Sequence, residues 1–420
     1  MAAWPVKRMD ELCEITSSKR IFAADYVSEG VPFYRGREIT EKYKGNLDVT
    51  TELFITEEKF TEIERKFGAP KPGDLLLTSV GTLGSVYVVK PGDRFYFKDG
   101  NLTWFRQFQE LDSRFLYYWL GSPQGKAELQ KATIGSSQSA LTIVLLKGME
   151  MELPPLPVQR RLAGILAAYD ELMENSQRRV RILEAMARAL YREWFVHFRF
   201  PGHEKLPRVA SPLGDIPQGW EVKSIQQFGA VITGKTPSKA NADFYGNDMP
   251  FVKTPDMHGN MFILGASDCL STTGAESQAN KTLPAGSICV SCIGTIGVVS
   301  ITTEDCQTNQ QINSVVLANP ASREFLFLRL QDAKQTLENL GANGATMGNV
   351  NKGKFEAMEI ICPPDDLLAS YHRLVEPMFS EILSLFRQIQ NLRRTRDLLL
   401  PRLLCGELRV SVPPPTESVT

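Results

Sequence analysis

The chain has 420 residues, is 43% hydrophobic, 23% charged and 9% aromatic, and carries a formal net charge of -1. That length exceeds one ordinary domain of about 100 to 200 residues, and the composition excludes a disordered or collagen-like chain. A near-zero charge argues neither for nor against nucleic acid, because such a partner needs a local basic surface and not a basic total.

No run approaches the roughly 18 to 20 apolar residues that a membrane span needs, and residues 1–7 lack the charged start and apolar core of a signal peptide. The expectation is a cytoplasmic protein without a membrane partner. The seven cysteines are an odd number and scattered, so they read as reduced thiols. Cys289 and Cys292 form a C-x-x-C, but no second pair stands at ligand spacing and the chain has four histidines, so no metal site is expected.

Read from the start, the chain repeats itself at roughly 210 residues, too long for a solenoid and suited to a duplicated domain. Trp-x-Val-Lys occurs at 4–7 and again at 220–223, followed by Pro32-Phe33 and Pro250-Phe251. Gly-Asp-Leu-Leu-Leu-Thr-Ser-Val-Gly-Thr-Leu-Gly at 73–84 is matched by Gly-Ser-Ile-Cys-Val-Ser-Cys-Ile-Gly-Thr-Ile-Gly at 286–297. Both predict a buried strand, a tight Gly-Thr-x-Gly turn and a return strand. From Gly135, aligned with Gly344, the offset stays constant through Pro154-Pro155 and Pro363-Pro364 to the helix ends, so something there fixes length.

After each Pro-Pro a heptad pattern begins. Leu162, Leu166, Tyr169, Met173, Ser176, Val180, Leu183, Ala187 and Leu190 alternate at spacings of four and three, as do Tyr371, Val375, Met378, Ile382, Leu385, Ile389, Leu392, Arg396 and Leu399. Two such seams in one chain supply each other, as a rod of about 50 Å that Pro377 is expected to kink. The Gly- and Pro-rich stretch 201–219 reads as a linker and 412–420 as a disordered tail. The fold class is therefore α+β: mixed α/β domains at 1–152 and 220–361, and long helices at 153–200 and 362–411. If the helices pack antiparallel, they form a coiled coil and set the domains at opposite ends with approximate two-fold symmetry.

Three stretches resemble the specificity subunit of type I restriction-modification systems. They are Pro-Pro-Leu-Pro-Val-Gln-Arg at 154–160, Gly-Lys-Thr-Pro-Ser at 234–238 and Arg-Asp-Leu-Leu-Leu-Pro-Arg-Leu-Leu-Cys-Gly-Glu-Leu at 396–408. The likeness covers essentially the whole chain, although the first copy has Ser18-Lys19-Arg20 where the second has Gly-Lys-Thr-Pro. It implies two target recognition domains, each reading half of a bipartite site in double-stranded DNA. It also implies helices that set the spacer and dock two methyltransferase subunits, with restriction/translocase subunits joining the complex. No cofactor is then expected in this chain, S-adenosylmethionine and ATP belonging to the partners.

Sequence reading calls for cationic, amide and hydroxyl side chains near base edges, on loops flanking buried strands. The first-domain candidates are Lys19, Arg20, Arg35, Arg37, Ser79, Thr82, Lys98 and Asn101, with Ser136, Ser137 and Gln138 from the polar loop at 135–139. The second-domain candidates are Lys235, Thr236, Lys253, Thr295, Asn309, Gln310 and Gln311, with Thr346, Asn349 and Asn351 from the loop at 344–351. The aromatics Tyr191, Trp194, Phe195, Phe198 and Phe200 read as core and not as base-stacking platforms.

Catalytic patterns are missing from the sequence. Cys-Pro-Pro-Asp at 362–365 is not a methyltransferase motif, neither Gly-Thr-x-Gly opens a phosphate-binding helix, and His258 and His372 stand without nucleophile or metal partners. Two alternatives stay open: a coiled-coil scaffold whose heads bind protein, which would lack salt-dependent, sequence-selective DNA binding, and an enzyme with an unrecognised site.

Overall fold

The computed structural model describes residues 4–46, 49–135, 139–342 and 348–408. Two compact units divide the chain: Met1–Asn175 with Ile389–Thr420, and Ser176–Gln388. The divisions fall inside both long helices, so each unit is a globular head carrying a segment of each helix, and neither helix is a separate body.

Unit 1 is built on an antiparallel sheet ordered Glu14–Thr16, Leu102–Arg106, Leu75–Thr78, Val86–Val88. Beside it lies a three-stranded sheet in which Val31–Tyr34 pairs antiparallel with Phe54–Ile55 and parallel with Tyr96–Phe97. Val6–Arg8 pairs with Glu150–Glu152, so the head's first strand closes against its last. Unit 2 repeats this plan. Its main sheet runs Gly229–Thr233, Ile312–Leu317, Ile288–Ser291, Val299–Thr302, with Phe262–Ile263 added at the edge. Tyr245–Val252 again has one antiparallel and one parallel partner, and Glu221–Ser224 closes on Glu359–Cys362.

The Gly-Thr-x-Gly segments form the hairpin turns that their spacing predicts. Gly81 and Gly84 take φ of 81° and 82°, and Gly294 and Gly297 take 76° and 85°, a backbone region costly for other residues. In both hairpins the hydroxyl that precedes the turn closes it. Thr78 Oγ1 accepts from the Ser85 N–H at 2.8 Å, and Ser291 Oγ accepts from the Val298 N–H at 2.9 Å.

The long helices are Leu156–Tyr191 and Asp365–Leu404. Pro154-Pro155 and Pro363-Pro364 stand just before them, and the acidic pair Asp365 and Asp366 lies where the helix dipole favours negative charge. The second helix continues as α-helix through Pro377. A five-residue π turn, Arg192–Val196, follows the first helix, and Trp194, Phe195 and Phe200 join the core with Trp220, Phe325 and Tyr371. These aromatics are core, not a stacking platform. The 201–219 stretch, read as a linker, includes a hairpin of Arg208–Ser211 on Gly214–Pro217, with Ile216 buried in that core. Its Gly and Pro residues shape a turn.

Every seam residue is buried or half-buried. In unit 1 these are Leu162, Leu166, Tyr169 and Met173 on one helix and Ile389, Leu392, Arg396 and Leu399 on the other. In unit 2 they are Ser176, Val180, Leu183, Ala187 and Leu190 with Tyr371, Val375, Met378, Ile382 and Leu385. There, Arg179 pairs with Glu381 at 2.5 Å and the Tyr371 hydroxyl donates to the Ala187 carbonyl at 3.3 Å. Rising numbers on one helix meet falling numbers on the other, which is antiparallel packing.

The charged seam position in unit 1 has its own partner. Arg396 Nη1 donates to Asp170 Oδ1 at 2.5 Å, while Asp170 Oδ2 accepts from the Tyr118 hydroxyl at 2.6 Å. Tyr118 lies on Ser113–Gly121, so one carboxylate ties the head to both helices. Asp170→Ala leaves the Tyr118 phenol unpaired and Arg396 with Asp397 alone, and is expected to cost about 2 kcal/mol in urea unfolding, below the full cost for a fully buried pair because Arg396 and Asp170 are 24% and 29% exposed and Arg396 keeps one carboxylate. An Asp170→Leu, Arg396→Met double variant should recover most of that loss. Equal losses in the single and double variants would refute the account.

Candidate nucleic-acid interface

The two hairpin turns organise the same neighbourhood in each unit. In unit 1 the Ser79 N–H donates to the Asn101 carbonyl at 2.8 Å, the Leu141 N–H donates to the Ser79 carbonyl at 2.9 Å, and Val80 bridges Ala140. In unit 2 the Cys292 N–H donates to the Gln311 carbonyl at 2.7 Å, the Val350 N–H to the Cys292 carbonyl at 2.9 Å, and Ile293 bridges Asn349. Backbone bonds thus gather the turn, the segment before the central strand and the end of the polar loop.

Four unit 1 candidates share one open cleft of about 520 Å³: Arg35, Arg37, Thr82 and Asn101. Gly81 at the turn tip and Lys44, Glu41 and Glu52 also line it. Beneath the two arginines lies Glu38, fully buried. Its Oε1 accepts from Arg35 Nη2 and from Arg37 Nε, each at 3.1 Å, and its Oε2 accepts from the Arg35 N–H at 2.8 Å. That last bond is half of a capping box at the start of the helix Gly36–Tyr43. Burial pushes the Glu38 carboxyl up, but the Arg35 guanidinium and the backbone N–H donors outweigh it and hold it below the ordinary carboxylate range. The clamp is therefore charged above that range, and its contribution is lost as pH falls through the depressed value.

The remaining unit 1 candidates lie apart from that set. Lys19 is exposed with its ammonium 5.1 Å from the Phe67 ring centre, and Arg20 is 3.6 Å from Asp99. Lys98 is exposed, its N–H donating to the Tyr34 carbonyl. Ser79 is turned inward: its hydroxyl bonds Thr103 Oγ1 at 2.6 Å and it is 3% exposed, so it serves the sheet and is corrected out of the reading set. Ser136, Ser137 and Gln138 lie outside the described residues, as does Thr346.

In unit 2, Thr236 Oγ1 donates to Gln310 Oε1 at 2.5 Å, joining the Gly-Lys-Thr-Pro segment to the 309–311 turn. Lys235 is exposed, its N–H donating to the Thr308 carbonyl. Asn309 is buried, with its amide donating to Gln311 Oε1 at 3.0 Å, so it shapes the turn while Gln310 faces out. Thr295 and Asn349 are exposed on either side of the Ile293 bridge. Asn351 caps the helix Lys352–Glu356 through the Lys354 N–H at 2.9 Å, a structural role. Lys253 occupies the place of Arg35: its N–H donates to Asp256 Oδ2 at 2.8 Å, and its ammonium pairs with Asp268. Sequence reading missed Glu38, Glu41, Lys44 and Glu52; the one available signal was a carboxylate three residues after Arg35, as Asp256 follows Lys253.

Among the described residues no group of His, Cys, Asp and Glu is arranged to hold a metal ion, and no helix is long and apolar enough to cross a membrane.

The family model described as "Type I restriction modification DNA specificity domain" matches residues 1–184 and 217–366, one span over each head and into its helix. The HindI specificity subunit of Haemophilus influenzae, a type I restriction enzyme subunit, is 33% identical over 325 residues, covering 64% of this chain and 71% of that protein. The MjaIX specificity subunit of Methanocaldococcus jannaschii is 27% identical over 423 residues, covering 97% of this chain and 94% of that one. Among solved structures, the S subunit of a type I restriction-modification system from M. genitalium superposes with a TM-score of 0.62 at 14% identity over 97% of both chains, a likeness of fold.

Proposed function

Because the chain belongs to the type I restriction-modification DNA specificity family, we propose that it reads a bipartite target in double-stranded DNA, one half with each head. The observation that carries the reading is the duplicated hairpin neighbourhood. In each head the same backbone bonds gather amide and hydroxyl groups, and each head also carries a cation held on a carboxylate, Arg37 on Glu38 and Lys253 on Asp268, the side-chain types that address base edges. The antiparallel helices fix the spacer, because the repeat offset stays constant through them and leaves no room for insertions, and they dock two methyltransferase subunits. Restriction/translocase subunits join through that complex. The chain itself does no chemistry: the methyl donor S-adenosylmethionine and ATP bind to the partner chains.

The test is co-expression with the modification subunit from the same source, followed by base-resolved mapping of methylation in host DNA with and without this chain. A split motif of two short half-sites, present only with the chain, is the expected result. A soluble complex with an active methyltransferase and no chain-dependent motif would overturn the reading and leave a protein-binding scaffold in its place.

A further inference from the structure

The unit 1 cleft brings three cations, Arg35, Arg37 and Lys44, together with three carboxylates, Glu38, Glu41 and Glu52. Such a balance does not suit a phosphate anchor, which gains from net positive charge and loses to nearby carboxylates. It does suit a base edge, which presents donors and acceptors side by side. Within the cleft, Arg37 is the cation whose plane is fixed and whose face is open. Its Nε is held by the fully buried Glu38 at 3.1 Å, yet its side chain is 56% exposed. The far end carries the two terminal nitrogens, of which Nη2 has a long contact of 3.5 Å to the Thr50 carbonyl. An arginine clamped at Nε offers its terminal pair in the spacing that matches the O6 and N7 acceptors of guanine.

We infer that Arg37 reads a guanine in the half-site of unit 1, with Glu38 as the positioning residue that sets the guanidinium plane. The inference rests on the reading of this chain as a DNA-recognition subunit and adds the base and the residue. It also distinguishes the two heads: in unit 2 Lys253 stands in the place of Arg35 with its ammonium tied to Asp268, and Pro255 stands in the place of Arg37, so that head presents no guanidinium there.

The experiment uses the full chain in complex with its modification subunits, on duplexes in which each base pair of the wild-type target is varied singly, with binding measured at several salt concentrations. Arg37→Ala is expected to reduce discrimination for guanine at one position of one half-site by on the order of 10- to 100-fold, leaving the other positions and the salt slope unchanged. Glu38→Gln should relax that same position and no other. Because Arg37 is largely exposed, its removal leaves the fold intact even if the Glu38 variant does not fold. Uniform weakening across all sequences with a salt slope smaller by about one marks a phosphate contact and overturns the inference. So does an unchanged base profile, and relaxation of the whole half-site by Glu38→Gln overturns the positioning role. A wild-type complex with no sequence preference defeats the DNA-reading function itself, a result seen before any substitution is made.

Discussion

Replacing Gln159 by leucine is expected to cost unit 1 about 3 to 5 kcal/mol, because one fully buried side chain satisfies three backbone groups that would each be left unpaired at about 1 to 3 kcal/mol. Its Oε1 accepts from the Asp112 N–H, and its Nε2 donates to the carbonyls of Glu110 and Pro154, all at 2.8 Å. Glu110 sits at a φ of 54°, a left-handed conformation that an ordinary side chain adopts at a cost, and Asp112 caps the helix Ser113–Gly121. The glutamine therefore holds a strained loop and a helix start of the head onto the first turn of the long helix. Gln159→Glu keeps the acceptor but sets it against two carbonyl oxygens, and should be nearly as damaging. Urea unfolding gives the loss, and amide exchange at residues 110–112 locates it. A midpoint shift worth less than about 1 kcal/mol with unchanged exchange would sink the account.

Gln159 also shows what the sequence makes legible. It stands in the Pro-Pro-Leu-Pro-Val-Gln-Arg run that carries the family resemblance, and the pattern marks its place without disclosing its two distant partners, Glu110 and Asp112, which lie 49 and 47 residues earlier in the chain. The duplicated heads, the hairpins and the helix seam follow from short-range regularities: two glycines at fixed spacing, a hydroxyl before the turn, apolar residues at intervals of three and four. Such features need no knowledge of tertiary neighbours. Ser79 was misplaced because the strand before it, Leu75–Thr78, is buried on both faces and offers no alternation from which to tell inward from outward. The Glu38 clamp was hidden because capping boxes are recognised by a serine or threonine at the cap, and here the cap is an arginine. Lys44 follows the helix Gly36–Tyr43 and Glu52 precedes the strand Phe54–Ile55, and only the folded chain brings both to the cleft.

At Tyr371 the heptad seam, the aromatic core and the head of unit 2 meet, so Tyr371→Ala is expected to be the most damaging single change in that unit. The side chain is fully buried, its ring lies 4.7 Å from Phe195 and 5.7 Å from Trp194, and burial pushes its phenol well above the ordinary tyrosine value. Removing the ring leaves a cavity under the helix pair and should cost about 3 to 5 kcal/mol. Tyr371→Phe loses only the hydroxyl bond to the Ala187 carbonyl, and should cost about 1 kcal/mol. The difference between these two variants measures the packing separately from the hydrogen bond. Tyr371 belongs to the core, whereas Thr295, Gln310 and Asn349, the groups proposed for recognition, are exposed. The alanine variant should therefore lower the amount of folded, assembled protein without changing which bases the surviving complex prefers. An altered half-site with undiminished stability would show instead that the seam governs recognition directly, and would reverse the separation of scaffold from reading surface.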